Sequence, residues 1–182
     1  MTSLKPNLIL RSYVFPCSLL LATALVSGVT ACSQRLYTNG DAYTQNQIGN
    51  SYIGKDDAQA AVWYRKSAEQ GYVYAQYSLG EMYAHGKGMQ QDYAQAADWF
   101  RKAAEQGLPM AQYNLGVMYL NGEGVQQDYQ QAYAWSSVAA TKDYGADAVT
   151  NRDLCATKLT PAMLAVAQAL ASQYYEQYKI TK

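Results

Sequence analysis

The sequence predicts an all-α fold, a solenoid in which pairs of helices stack one after another. Trp63, Trp99 and Trp135 are spaced 36 residues apart, twice in succession. When residues 58–93 are laid over residues 94–129 without a gap, 24 of the 36 positions are identical. Within each copy, apolar residues recur at helical spacing in two successive segments. Such self-similarity is typical of a helix-pair repeat.

Residues 1–31 predict a secretory signal peptide at the start of the chain. A short basic segment precedes an apolar run over residues 13–29, and small residues follow it. This order of charged, apolar and small residues is typical of such signals. A transmembrane helix is the alternative, but the run is short for a span of about 20 residues and contains Pro16 and Gly28.

The segment Val29-Thr30-Ala31-Cys32 resembles the bacterial lipobox. The resemblance implies a lipoprotein signal peptide over residues 1–31, a lipidated Cys32, and a short tether over residues 32–40. Several acyl chains hold a protein durably on a membrane. The resemblance implies a lipid-anchored protein of the cell envelope. By analogy with proteobacterial lipoproteins, Ser33 after the cysteine implies the outer membrane, facing the periplasm, in a Gram-negative host.

Cysteine usage agrees with this interpretation. Cys17 lies in the signal peptide and Cys32 is the expected lipidation site, which leaves Cys155 alone in the mature chain. We therefore expect Cys155 to behave as a small apolar residue that is buried in a helix. Intermolecular pairing is the alternative for a single cysteine in an exported protein.

The repeat domain is predicted over residues 41–182, beginning with a degenerate second helix at residues 41–52. Its Ile48-Gly49 pair matches Leu79-Gly80 at an offset of 31 rather than 36. We expect this segment to cap the first full copy, since terminal repeats of a solenoid are atypical.

The first helix of each full copy is predicted at residues 58–70 and 94–106. In the first copy its buried face is expected to comprise Ala60, Trp63, Tyr64, Ser67 and Ala68. Gly71 and Gly107 follow these helices at the position that favours a left-handed residue.

The second helix of each copy is predicted at residues 73–84 and 109–120. Gly80 and Gly116 lie mid-helix beside the apolar stripe, where glycine costs about 1 kcal/mol relative to alanine. We expect a close approach of two helix backbones there. In the loops that follow, Met89 and Val125 are predicted to turn into the core.

Two N-caps and two degenerate segments complete the domain. Asp92 and Asp128 are natural caps for the helices that follow the loops. A partial third repeat is predicted at residues 130–158, and Thr160-Pro161 opens a capping helix over residues 161–178. Its apolar side is expected to cover the open end of the solenoid; that side carries Leu164, Ala167, Leu170, Ala171 and Tyr174.

Three motifs carry a specific resemblance. They are Ala-x-x-Trp-Tyr/Phe-Arg-Lys-Ser/Ala-Ala-Glu-Gln-Gly, Ala-Gln-Tyr-x-Leu-Gly-x-Met-Tyr and Gly-x-Gly-x-Gln-Gln-Asp-Tyr. Together they resemble the Sel1-like repeat, a relative of the tetratricopeptide repeat. The resemblance covers residues 58–129 in full and implies a right-handed helix-pair solenoid. Some members carry cysteine pairs in each repeat and are linked to penicillin binding, but this chain lacks those cysteines.

The charge and the reactive residues argue against several classes of function. The chain has 14 basic and 14 acidic residues, and loss of Lys5 and Arg11 leaves 12 against 14, about −2. A near-neutral surface disfavours nucleic-acid binding, which selects for basic patches. With His85 as the one histidine, and no phosphate loop or cluster of metal ligands, we expect no catalysis, no cofactor and no metal.

A partner-binding surface is predicted from positions that differ between the copies while the packing positions stay fixed. Val62, Asp98 and Ala134 occupy one such position, and it is predicted to point outward. The tryptophans and most tyrosines are predicted to belong to the core. Tyr72 and Tyr74 stand where the next copy has aliphatic residues, and aromatic anchors are favoured at interface hot spots. The candidate surface comprises Val62, Tyr72, Tyr74, Asp98 and Met110. Ordinary solvated surface is the alternative for most of them.

These observations favour a non-enzymatic protein–protein interaction scaffold, tethered to the bacterial envelope by a lipid and bound to envelope proteins that the sequence does not name. Two alternatives stay open. One is an enzyme or ligand binder acting on peptidoglycan or a β-lactam, and the other is a structural envelope protein that assembles with itself.

Overall fold

A computed structural model describes residues 40–141 and 145–178, and every described element is an α-helix. The helices are α1 (Ala42–Tyr52), α2 (Asp57–Glu69), α3 (Val73–His85), α4 (Tyr93–Glu105), α5 (Pro109–Asn121), α6 (Tyr129–Ala140), α7 (Gly145–Thr157) and α8 (Pro161–Tyr178). The all-α helix-pair solenoid is therefore confirmed. The predicted signal peptide, Cys32 and the tether up to residue 39 lie outside the described residues.

No helix within the described ranges is long and apolar enough to cross a membrane.

The helix ends lie where the local signals placed them. The Asp92 carboxylate accepts hydrogen bonds from the backbone N–H groups of Ala94 and Gln95, at 2.9 and 3.0 Å. Asp128 caps α6 in the same way. A cap of this kind contributes about 1 kcal/mol because it satisfies N–H groups that the helix leaves unpaired. Gly71 has a positive φ of 88° after α2, as expected.

Successive units meet where a glycine of one second helix faces the next first helix. A Cβ atom at Gly80 would lie 2.7 Å from the ring of Phe100, and one at Gly49 would lie equally close to Tyr64. The expected approach of two backbones is therefore wrong at Gly80, because an aromatic ring fills the space. At Gly116 the facing residue is the small Ser136, whose backbone nitrogen would lie 3.3 Å from such a Cβ.

The buried residues form one apolar cluster for each full copy. The first cluster comprises Ala60, Ala61, Tyr64, Ala68, Ala75, Leu79 and Met82. The second comprises Ala96, Ala97, Phe100, Ala103, Ala104, Leu108, Ala111, Leu115, Met118 and Trp135. Met89 and Val125 are half-buried and pack against the first and second clusters respectively, which confirms that the loops turn inward.

Side-chain amides join neighbouring units beside these clusters. The buried Gln76 donates to the carbonyl of Ala68 at 3.2 Å and accepts from the amide of Gln106 at 2.6 Å. One unit earlier, Gln70 donates to Gln45 at 2.8 Å. Because buried polar groups need partners, these bonds fix the position of each unit on the next.

The last helix packs chiefly on α6, the first helix of the partial third repeat. A regular solenoid would place its next first helix on α7, as α4 packs on α3. The predicted apolar stripe of α8 does face the protein, with Ala167 fully buried and Tyr174 half-buried. The capping helix α8 thus covers the third repeat through its first helix, α6.

Candidate functional site

Each first helix carries four side chains at spacings of three, four and seven residues, which places them on one side of the helix. We call this set the first-helix face. It comprises Gln59, Val62, Trp63 and Lys66 in the first copy, Gln95, Asp98, Trp99 and Lys102 in the second, and Gln131, Ala134, Trp135 and Val138 in the third.

In the third copy the first-helix face is covered by α8. The ring centroids of Tyr174 and Tyr178 lie 4.5 and 5.4 Å from that of Trp135, and Trp135 is only 3% exposed. The Tyr174 hydroxyl donates to Gln131 at 2.9 Å. Burial of its phenol raises the pKa of Tyr174, so this hydroxyl remains a donor well above neutral pH.

Two further residues of this face follow the same pattern. Val138 is buried and lines a small cleft together with Ala171 and Tyr175 of α8. Ala134 is fully buried, so the expectation that position 134 points outward is wrong. The residue types agree with burial, because the third copy has a valine where the other copies have a lysine.

In the first and second copies the same face is open. Gln59 and Gln95 are exposed, and Val62 is 47% exposed. Trp63 and Trp99 are only half-buried, which corrects the expectation that all three tryptophans belong to the core.

A lysine lies over each of these two tryptophans. The ammonium nitrogen of Lys66 is 4.3 Å from the ring centroid of Trp63, and that of Lys102 is 3.8 Å from Trp99. Such cation–π contacts contribute about 0.5–1 kcal/mol at exposed sites, so a partner can displace them at low cost.

Beside this face, an arginine in each of the first two copies is held by a tyrosine of the following helix. Arg65 donates through Nη2 to the Tyr83 hydroxyl at 2.6 Å. Arg101 donates through Nη2 to Tyr119 at 3.3 Å and through Nη1 to the Asp98 carboxylate at 2.8 Å. The exposed Asp98 is therefore already paired within the chain.

The predicted aromatic positions form a separate group at the start of α3. Tyr74 is 51% exposed, and its ring centroid lies 5.7 Å from that of the half-buried Tyr72. Tyr43 of α1 adds a third ring, 6.1 Å from Tyr72. Sequence reasoning missed Tyr43, although it aligns with Tyr74 at the same offset of 31 that relates the Ile48-Gly49 pair to its counterpart.

Met110 does not belong to an exposed surface. It is half-buried and packs against the apolar cluster of the second copy. The structure thus divides the predicted surface into Val62 and Asp98 on the first-helix face and Tyr72 and Tyr74 at the start of α3.

A cleft between the two full copies contains the histidine. His85 Nε2 lies 3.6 Å from the Glu81 carboxylate, which also accepts a hydrogen bond from Asn114 at 2.8 Å. The cleft is lined by Ala84, Phe100 and other apolar groups. Throughout residues 40–141 and 145–178, no group of three His, Cys, Asp or Glu side chains could hold a metal ion.

Comparisons with known proteins agree with the repeat architecture. A Sel1 repeat profile matches residues 36–72, 73–108 and 109–144, so its units begin one helix earlier than the copies defined above. No curated protein matches the sequence.

Two solved structures are similar to this chain. One is c5321, a protective antigen of uropathogenic Escherichia coli strains described as displaying an SLR fold, with 41% identity and a TM-score of 0.73 over 81% of this chain. The match spans 32% of that longer protein, about a third of its length. The other is a Sel1 repeat protein from Oxalobacter formigenes, with 32% identity and a TM-score of 0.59 over 69% of this chain and 97% of that one. The chain therefore belongs to the Sel1 repeat family, whose helix-pair arrays generally serve as protein-interaction scaffolds.

Proposed function

We propose that this protein is a non-enzymatic scaffold, tethered to the bacterial envelope by a lipid, that binds a protein partner on the first-helix face of its first two copies. One observation carries the proposal. In the third copy, a helix of the same chain already occupies that face, through the contacts of Tyr174 and Tyr178 with Trp135. The open copies present the same glutamine and tryptophan.

The differences between the copies support this assignment. Where α8 covers the face, the positions equivalent to Val62 and Lys66 carry the buried residues Ala134 and Val138. Where the face is open, the position of Val138 is a lysine in both copies. A charged residue keeps an open face soluble, yet its aliphatic stem can lie along an incoming partner while the ammonium stays in water. The open copies are thus suited to a partner that binds and leaves.

The N-terminal segment supports a location at a membrane. The apolar run at residues 13–29 and the lipobox-like segment that ends at Cys32 favour export and lipidation. The eight residues Ser33–Gly40 would then form a tether with a reach of roughly 16 Å if flexible. A scaffold on so short a tether would meet proteins of the envelope.

Site-specific photo-cross-linking in the producing cells tests the proposal. A photoreactive residue at Val62 or at Lys102 is expected to cross-link to the same protein. The matched control is Lys87, an exposed lysine on the loop after α3, which is expected to give no such product. Absence of a protein product from both face positions, or an equal product from Lys87, would overturn the assignment of this face.

Lipidation is tested separately. Cells fed a labelled fatty acid are expected to label the wild-type chain but not the Cys32→Ser variant, which should also leave the membrane fraction. Equal labelling of both chains would exclude Cys32 as the acylated residue without bearing on the docking face.

A further inference from the structure

The first-helix faces of the two open copies differ at one position, which is Val62 in the first copy and Asp98 in the second. We infer that Arg65 of the first copy binds an aspartate or glutamate side chain of a partner protein, in the place that the Asp98 carboxylate occupies in the second copy. This inference rests on the proposed scaffold function and names the partner's chemistry at that face: an acidic side chain next to an apolar one.

The hydrogen bonds of the two arginines carry the inference. Nη2 of each arginine donates to the tyrosine of the following helix, Tyr83 in the first copy and Tyr119 in the second. Nη1 of Arg101 donates to Asp98 at 2.8 Å. In the first copy the residue at that position is Val62, and no carboxylate among the described residues pairs with Arg65. Arg65 is therefore held by the same tyrosine contact with one side of its guanidinium unpaired.

The surroundings of Arg65 favour an acidic partner. Its own helix offers a second cation in Lys66, and Val62 adds an apolar contact that is 47% exposed. The carboxylates nearest in the sequence are Asp57, which accepts from the backbone of Gly54, and the exposed Glu69 near the C-terminus of the helix. Because a guanidinium presents its donors in a fixed fork, an incoming carboxylate can bind at Nη1 without displacing Tyr83.

Groups that face the site from the neighbouring elements are compatible with this. Tyr83 lies on α3, and its hydroxyl accepts the bond from Arg65. The Asp92 carboxylate, which begins α4, is engaged by the backbone of Ala94 and Gln95. It forms no ion pair with Arg65, so the guanidinium of Arg65 is left to a ligand.

A pair of defined peptides tests the inference on the full chain purified in detergent. The probes are acetyl-Leu-Asp-Leu amide and its asparagine counterpart, and the readout is the side-chain NMR signal of each labelled arginine. The aspartate peptide is expected to shift the Arg65 signal saturably and to bind more tightly than the asparagine peptide by up to about fivefold, the upper range for an exposed ion pair. Equal responses to the two peptides would overturn the inference.

Variants that exchange the two copies make the test specific. Val62→Asp supplies the internal carboxylate of the second copy and is expected to abolish the Arg65 response. Asp98→Val removes that carboxylate and is expected to create a new response at Arg101. Lys87→Gln changes the net charge as Val62→Asp does, but on an exposed loop, and should leave the Arg65 response unchanged.

Each contrary result has a defined meaning. A Val62→Asp chain that still binds, or an Asp98→Val chain in which Arg101 stays silent, would overturn the inference. Failure of the peptides while cross-links from Lys102 persist would remove the acidic specificity and leave the scaffold function standing. Loss of the cross-links while the peptides still bind would remove the assignment of the docking face and leave the preference of Arg65 for a carboxylate standing.

Discussion

Gly80 lies directly against the ring of Phe100, and a Cβ atom at position 80 would lie 2.7 Å from that ring. The contact joins the second helix of one unit to the first helix of the next. Both residues are buried in the stacked array.

The Gly80→Ala variant is therefore expected to be less stable than the wild type. Alanine gains about 1 kcal/mol of helix propensity, but overpacking a core costs about 1–3 kcal/mol, so we expect a net loss of up to about 2 kcal/mol in the free energy of unfolding. Urea unfolding followed by circular dichroism measures it. In a Phe100→Ala background the same change should become neutral or stabilising, because the ring is gone. An equal loss in both backgrounds would show that the ring is not the cause.

Gly124 is expected to be far less tolerant of alanine than Gly71, although both have positive φ values, 69° and 88°. Beside Gly71 a Cβ would meet open space, so Gly71→Ala should cost only about 1 kcal/mol of backbone strain. At Gly124 a Cβ would collide with the carbonyl group of Tyr93, and relief requires two backbone segments to separate. A loss on the order of 3 kcal/mol is expected there. Thermal unfolding of the two variants side by side compares them, and similar melting temperatures would contradict the prediction.

Val138→Lys restores the lysine that the first two copies carry and is expected to detach α8 from α6. Val138 is only 1% exposed, so the longer, charged side chain must push α8 away from α6 to bring its ammonium group into water. Hydrogen exchange at the backbone amides of α8 should accelerate by at least about tenfold, while exchange in α3 and α4 stays unchanged.

The matched control for that variant is the opposite exchange, Lys102→Val, at the exposed equivalent position. It should leave exchange in α8 unaltered and change stability by no more than about 1 kcal/mol, the upper range for the exposed cation–π contact that it removes. Equal effects of the two variants on α8 would mean that Val138 is not covered by that helix.

Cys155 is expected to resist thiol reagents until the protein unfolds. Its side chain is fully buried, and burial raises the pKa of the thiol to about 11. In the unfolded chain the thiol has a pKa of about 8.5. Between those values the unfolded state loses a proton that the folded state keeps, so stability should fall as pH rises, with a contribution from this residue of up to about 1.4 kcal/mol per pH unit.

The Cys155→Ala variant isolates that contribution. Burial also raises the pKa of Tyr64, so this residue too makes the folded state less stable as the pH rises. Both the wild type and the Cys155→Ala variant should therefore lose stability in alkali. The wild type should lose more between pH 9 and pH 11. Parallel unfolding curves against pH would show that the thiol titrates alike in both states.

Most of the fold was predictable because its signals are local. Asp92 and Gly71 mark the ends of helices through bonds and backbone angles that involve only their neighbours in the chain. The first and second helices accordingly begin and end within one residue of the predicted bounds. The 36-residue spacing made the stacking of the units predictable, because copies with the same sequence bury the same face.

The candidate site was less predictable because it depends on where α8 packs. Trp63 and Trp135 occupy the same position in their copies, yet only Trp135 is covered. The replacement of lysine by Val138 was the one available sign of that cover. The hydrogen bond between Gln76 and Gln106 was equally hard to predict from the sequence, because it joins two polar residues 30 positions apart in the chain.

The glycine-to-ring junction at Gly49–Tyr64 recurs at Gly80–Phe100, so the middle of the array is modular while its two ends are unique. A further 36-residue unit inserted between Tyr93 and Ala94 would meet a junction of the same kind on either side. α1 and α8 would keep their present neighbours. The number of repeat units can therefore change in the middle of the array. Each added unit would extend the open first-helix face by one more glutamine and one more tryptophan.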